Sequence, residues 1–198
     1  MFGGTFNFLI EWVIICLIGI IIKLMDDYLD QDLDSIEGKY TLPMILGKAT
    51  LPYTLLGIVV CMAIKPALSG TLFLASYLVG MGHNLEEPLP FGWSPLQESI
   101  IFGIFGILFF FIFEMLSSLT IIIFIQLLDD FLDYYTDAQF SRRNFFIRFG
   151  FWESLIFGLI IFGMALILDI RKAILVTISL PIVLNAIKYG KKLVSNHD

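Results

Sequence analysis

The sequence predicts an all-α protein, a polytopic transmembrane helical bundle of about seven spans built from two parallel repeats. Three observations predict it. Hydrophobic residues make up 58% of the 198 positions and charged residues only 15%, and the mean hydropathy is +0.89, well above an ordinary soluble domain. The apolar residues fall into runs of span length separated by short polar segments. Two aspartate-rich segments, 26–34 and 129–137, match each other 103 positions apart without a gap.

A spanning helix needs roughly 20 mostly apolar residues. A chain of this length therefore holds roughly six to eight spans, and the expectation is one transmembrane domain over 1–198 with no soluble appendage. The first run, 6–25, begins without a basic n-region, carries Glu11, and ends in carboxylates rather than at a small-residue cleavage site. It reads as a retained span. Runs 42–64 and 66–82 follow, meeting at Lys65, and a loop containing His83 but no Lys or Arg leads to 95–113. Run 116–128 is short for a span unless it continues through the second aspartate segment. Run 145–170 is long enough to tilt, and 173–189 completes seven. Cys16 and Cys61 sit inside apolar runs with no paired spacing and no nearby His, which predicts buried thiols rather than a disulfide or a metal site.

Seven crossings place the ends of the first and fifth spans on one side. That side also receives Lys39, Lys48, Arg142, Arg143, Arg148, Lys188, Lys191 and Lys192, against Lys65, Arg171 and Lys172 on the other. The positive-inside tendency then makes the aspartate segments cytoplasmic and puts the N-terminus outside.

The 103-residue shift superimposes Asp26-Asp27-Tyr28-Leu29-Asp30 on Asp129-Asp130-Phe131-Leu132-Asp133 and pairs Asp34 with Asp137. It also pairs Glu11 with Glu114, Lys39 with Arg142 and Gly47 with Gly150. An even number of helices separates the copies, so they are expected as parallel repeats, about 5–95 and 96–198, whose aspartates face one central cavity.

On a helix, Asp26, Asp30 and Asp34 form one stripe, and so do Asp129, Asp133 and Asp137. Asp27 and Asp130 lie about 100° from the start of each stripe and are expected to support it. One such run reads as a solvated helix end. Two in-register copies point instead to bound divalent cation, which offsets the repulsion among carboxylates at low dielectric. Oxygen-only ligands favour Mg²⁺ or Mn²⁺ and admit Ca²⁺. Mg²⁺ usually completes its shell with water and substrate phosphate oxygens.

Asp26-Asp27-x-x-Asp30-x-x-x-Asp34 and its copy resemble the two aspartate-rich motifs of the UbiA superfamily of intramembrane prenyltransferases. Glu37-Gly38-Lys39-Tyr40-Thr41-Leu42-Pro43-x-x-x-Gly47 resembles the segment that follows such motifs. The resemblance implies a Mg²⁺-dependent enzyme that binds and ionises an isoprenyl diphosphate and passes the prenyl group to a hydrophobic acceptor, or cyclises it. It implies metal ligands at Asp26, Asp30, Asp34, Asp129, Asp133 and Asp137, to which helix geometry adds Asp27 and Asp130 as supporting residues of the metal site. Lys39, Arg142 and Arg143 would neutralise the departing pyrophosphate. Family members usually have nine spans, begin the first motif with Asn where this chain has Asp26, and often place a Lys after a Tyr where Tyr77 here has none. The likeness is to a shortened, core-only relative.

Glu11 and Glu114 lie 15 residues before the aspartates, roughly 22 Å along a helix and so near the opposite face. Facing inward, they would form a second polar layer, and the alternative function is a non-catalytic divalent-cation carrier or channel. The 20 phenylalanines and three tryptophans serve lipid packing and interfacial anchoring, with ring faces available to a carbocation. The expected partners are an isoprenyl diphosphate, a hydrophobic acceptor and membrane lipid. No Gly-rich phosphate loop, nucleophile elbow, zinc spacing or basic patch occurs, which sets aside those enzyme classes and nucleic acid.

Overall fold

The structure, a computed structural model, describes residues 2–36, 38, 40–81, 92–135, 138 and 144–195. Among them every regular element is helical: α1 (Phe2–Leu29), α2 (Gln31–Ile36), α3 (Leu42–Leu46), α4 (Thr50–Ile64), α5 (Pro66–Met81), α6 (Pro95–Phe110), α7 (Ile112–Leu132), α8 (Phe145–Phe149) and α9 (Phe151–Ser195), with a 3₁₀ turn at Gly47–Ala49. The all-α expectation holds. Four stretches are long and apolar enough to cross a membrane, Phe6–Leu29, Leu42–Ile64, Ile112–Leu132 and Phe151–Lys192, and two shorter apolar helices cover Pro66–Gly80 and Pro95–Phe110.

Several boundaries differ from the sequence reading, each for a local reason. The fourth helix stops at Phe110, and Phe111 alone, at φ 67°, links it to α7. Glu114 therefore falls in the first turn of α7, where a carboxylate suits the positive helix end. α7 gains enough length to span. Glycines divide two other runs. Gly47 (φ 54°) closes α3 by donating its N–H to the Pro43 carbonyl, and Gly150 (φ 99°) closes α8 by donating to Phe146. A side chain is strained at such a φ, which is why glycine serves there. In α9 the break falls at Asp169 (φ −156°, ψ 90°), not at Arg171–Lys172. Its carboxylate accepts the Lys172 N–H at 2.9 Å and so caps the helix that resumes. At 45 residues α9 would be about 67 Å long if straight, twice the roughly 30 Å hydrocarbon core.

The chain forms two compact units, 1–69 with 175–198, and 70–174. In the first, α1 and α4 run antiparallel. Gly57 lets them approach closely, since a Cβ there would lie 2.7 Å from Ile21 Cδ1. At the far end of this pair Lys65 reaches Glu11 at 3.2 Å and Asn7 at 2.7 Å. The last arm of α9 packs on the same α1, with Val183 against Gly19. Ile14, Ile15, Ile18 and Ile21 supply the core of α1, and Thr50, Thr54, Ile58 and Cys61 that of α4.

In the second unit α5 and α6 form an antiparallel pair. Tyr77 of α5 donates its hydroxyl to Glu98 at 2.8 Å, and the other end brings Gly70 to Phe110. Ser94 starts α6 with a reciprocal cap, accepting from Gln97 N while Gln97 Oε1 accepts from Ser94 N. α7 buries Met115, Ser117, Ser118 and Ile121, and Ser118 donates to Thr71 of α5 at 2.7 Å.

Candidate functional site

The first aspartate segment spans the joint between α1 and α2. Helical hydrogen bonds continue across it, Asp30 N to Asp26 O at 3.0 Å and Asp34 N to Asp30 O at 2.9 Å. The carboxylates therefore keep their helical order. Their facing differs from the sequence reading, which put Asp26 in the stripe and Asp27 in support. The Asp26 side chain is 57% exposed, whereas Asp27 is 13% exposed and Asp34 is 6% exposed. Asp27 and Asp34 are seven residues apart, nearly two full turns, so they share the inward face, and their charges interact. Lys23, one turn earlier, bridges Asp26 at 3.0 Å and Asp27 at 3.1 Å. The sequence reading passed over Lys23; its i+3 and i+4 spacing to the two carboxylates was the available signal.

The second segment ends α7. Asp133 caps it, donating N–H to Asp129 O at 2.9 Å, and is exposed. Asp129 and Asp130 are half-buried. Asp130 holds the start of α8: its Oδ2 accepts the Phe145 N–H at 3.0 Å, and its carbonyl accepts from Asn144 Nδ2 at 2.6 Å. Asn144, 4% exposed, accepts in turn from Phe146 N. Phe131, Phe146, Phe151 and Tyr134 pack edge to face and tilted around this joint, with centroids 5.5 to 5.9 Å apart. Asp130 is thus a helix-capping group as well as a candidate ligand.

Asp137, Lys39, Arg142, Arg143 and His83 lie outside the described residues. Among the described residues no three acidic, His or Cys side chains converge as a ready metal cage. Cys16 and Cys61 are free thiols.

The two glutamates each carry a lysine. Glu11 pairs with Lys65 at 3.2 Å. Glu114 pairs with Lys172 at 2.7 Å, and the lysine side chain is 5% exposed. Lys172 also donates to Ser117 at 2.8 Å. Each glutamate is thus paired with an ammonium within its own unit.

The chain matches no protein-family model, no curated protein and no solved structure.

Proposed function

We propose that the chain is a Mg²⁺-dependent membrane prenyltransferase that binds and ionises an isoprenyl diphosphate and transfers the prenyl group to a hydrophobic acceptor, or cyclises it. The observation that carries this reading is the repetition of buried and half-buried aspartates where two long apolar helices end, Asp27, Asp30 and Asp34 across the joint of α1 and α2 and Asp129 and Asp130 in the last turn of α7, followed by the exposed Asp133. Intramembrane acids are rare and are retained for a purpose.

The donor chemistry fits a hard divalent cation, since every candidate ligand is a carboxylate oxygen. With no three-carboxylate cage among the described residues, the fit is to an ion that keeps water and phosphate oxygens in its shell. Each segment would hold an ion of its own, Asp27, Asp30 and Asp34 in one and Asp129 and Asp133 in the other. Bound there, the cation would neutralise charge that develops on the leaving pyrophosphate. The chain's own part is to orient the diphosphate at the aspartate ends. Apolar helices, with rings such as Phe131, Phe146 and Phe151 beside Asp130, exclude water from an allylic cation.

The same reading takes seven crossings, counting α9 twice at its Asp169 break and including the shorter α5 and α6, with the aspartate ends cytoplasmic. It also takes the two halves as a duplication. Three matched features support that. Thr41 and Asn144 precede five-residue helices closed by Gly47 and Gly150, 103 positions apart. Ile14, Ile15 and Ile18 match Ser117, Ser118 and Ile121 in burial at the same shift. Lys65 (φ −138°, ψ 76°) and Asp169 (φ −156°, ψ 90°), one position off that register, are the extended residues between second and third helices. Each compact unit then combines the first two helices of one repeat with most of the third helix of the other.

A divalent-cation carrier is the rival. Lys65 and Lys172 pair with Glu11 and Glu114 as Lys23 pairs with Asp27, so in either reading a bound divalent ion would displace an ammonium. The test is release of pyrophosphate from geranyl or farnesyl diphosphate by the purified protein with Mg²⁺. Release that disappears in the Asp30→Ala/Asp133→Ala variant supports the enzyme; Mg²⁺ transport into vesicles without any release would replace it with the carrier.

A further inference from the structure

The last apolar run of the chain ends in clustered bases. Residues 173–187 of α9 carry no charged side chain, and Lys188, Lys191 and Lys192 follow. Spacings of three and four residues put these lysines on one side of the helix. The end of α9 is also fixed in place within the first unit. A Cβ on Gly190 would lie 3.3 Å from Leu42 Cδ2, so the helix presses on the first residue of α3, and Lys191 Nζ stands 5.7 Å from the centre of the Tyr40 ring.

The side chains around this contact face outward. Tyr40 is 55% exposed and Tyr189 70%, and Lys188 and Lys48, the latter in the 3₁₀ turn after α3, are exposed. Tyrosine, with an apolar ring and a polar tip, suits the headgroup level of a bilayer. A lysine stem lies along apolar surface while its ammonium reaches out of it. Among the described residues from Asp26 to the start of α3, the exposed acids are Asp26 and Asp32, and Asp26 is already bridged by Lys23. Asp27 and Asp34 turn inward. Outward-facing bases therefore outnumber acids where the apolar run ends.

We propose that the end of α9, with Tyr40, is a docking surface for anionic phospholipid headgroups, Lys188 and Lys191 contacting the lipid phosphate and Lys48 adding to the local field. The surface lies on the lipid-facing side and uses none of the aspartates, so the proposal is independent of the prenyl-transfer reading. The apolar run delivers these ammonium groups to headgroup level, where a lipid with net negative charge is attracted and a zwitterionic one, whose own cation offsets its phosphate, is attracted less. The ring of Tyr40 holds the Lys191 ammonium by its face and leaves its protons to donate to phosphate oxygens.

The test is titration of the full chain in detergent with phosphatidylglycerol and with phosphatidylcholine of the same tails, bound lipid being counted by native mass spectrometry. Wild type is expected to hold phosphatidylglycerol about tenfold or more tightly than phosphatidylcholine, and Lys188→Gln and Lys191→Gln each to lose about fivefold of that preference. Tyr40→Leu keeps every charge but removes the ring face, and should lose about threefold. Rising salt should shrink the preference in wild type. Arg171→Gln removes the same charge elsewhere in the chain and should keep it. Lys188 is exposed, so Lys188→Gln carries the test even if the melting temperature shows that Lys191→Gln unfolds. Equal affinity of wild type for the two lipids would overturn the proposal. So would an undiminished preference in Lys188→Gln, or an equal loss in Arg171→Gln, which would reduce the effect to net charge.

Discussion

Lys172 Nζ lies 2.7 Å from Glu114 Oε2, joining the α9 break to the first turn of α7 across 58 positions of sequence. The lysine is buried and the glutamate side chain is 45% exposed, so the pair is asymmetric. Removing the glutamate leaves an ammonium in an apolar interior with only serine hydroxyls and a carbonyl to solvate it. Glu114→Ala is expected to cost about 3 kcal/mol, the lower end for a broken buried pair. Glu114→Leu combined with Lys172→Leu should recover most of that. Thermal unfolding in detergent of the single and double variants checks both signs, and equal losses in the two would contradict the asymmetry.

In the ion pair of the first unit, Lys65 with Glu11, the lysine is the more accessible, its side chain 27% exposed against 5% for Lys172. Glu11→Ala should cost only about 1 kcal/mol, as for an ion pair partly screened by solvent or headgroups. The same unfolding measurement in low and high salt should show a salt effect for this pair and little for Glu114.

Gly47 and Gly150 test the backbone reading. A Cβ on Gly47 would meet nothing within 4 Å, yet its φ is 54°. Gly47→Ala should therefore cost about 1 kcal/mol through conformation alone. Gly163, in mid-helix with open space around a Cβ and no positive φ, is the control. Gly163→Ala should be neutral or stabilise by up to about 1 kcal/mol. A loss at Gly163 as large as that at Gly47 would show that the positive φ is not the cause.

The aspartates divide by facing. Asp34, 6% exposed, and Asp27 should matter to Mg²⁺-dependent diphosphate binding, each Ala variant losing about tenfold or more, whereas Asp26→Ala, at an exposed position paired with Lys23, should lose less than about threefold. Titration of farnesyl diphosphate into the three variants checks the order. A dominant effect of Asp26 would restore the stripe read from sequence.

That reversal shows what the sequence could and could not convey. The apolar runs were legible because lipid-facing and interior residues are both apolar, so helices that cross a membrane announce themselves by length. For the same reason periodicity was silent about which face of α1 turns inward, and Asp27 was ranked below Asp26. The breaks at Gly47 and Gly150 were hidden because a glycine within an apolar run does not declare its φ. Phe111 carries no turn signal at all, and only the structure shows it linking α6 to α7. Lys65 was visible as punctuation, but that Glu11 accepts from it depends on an antiparallel packing that no local pattern specifies. Asp130 was read as a possible ligand from its register. Its bond to the Phe145 N–H needs the chain to return from 15 residues away.

The most direct test of the central claim is the affinity of the purified chain for geranyl or farnesyl diphosphate in detergent, with and without Mg²⁺, beside the Asp30→Ala/Asp133→Ala variant. The account predicts binding that requires both the metal and the aspartates. Metal binding with no affinity for either diphosphate would contradict it.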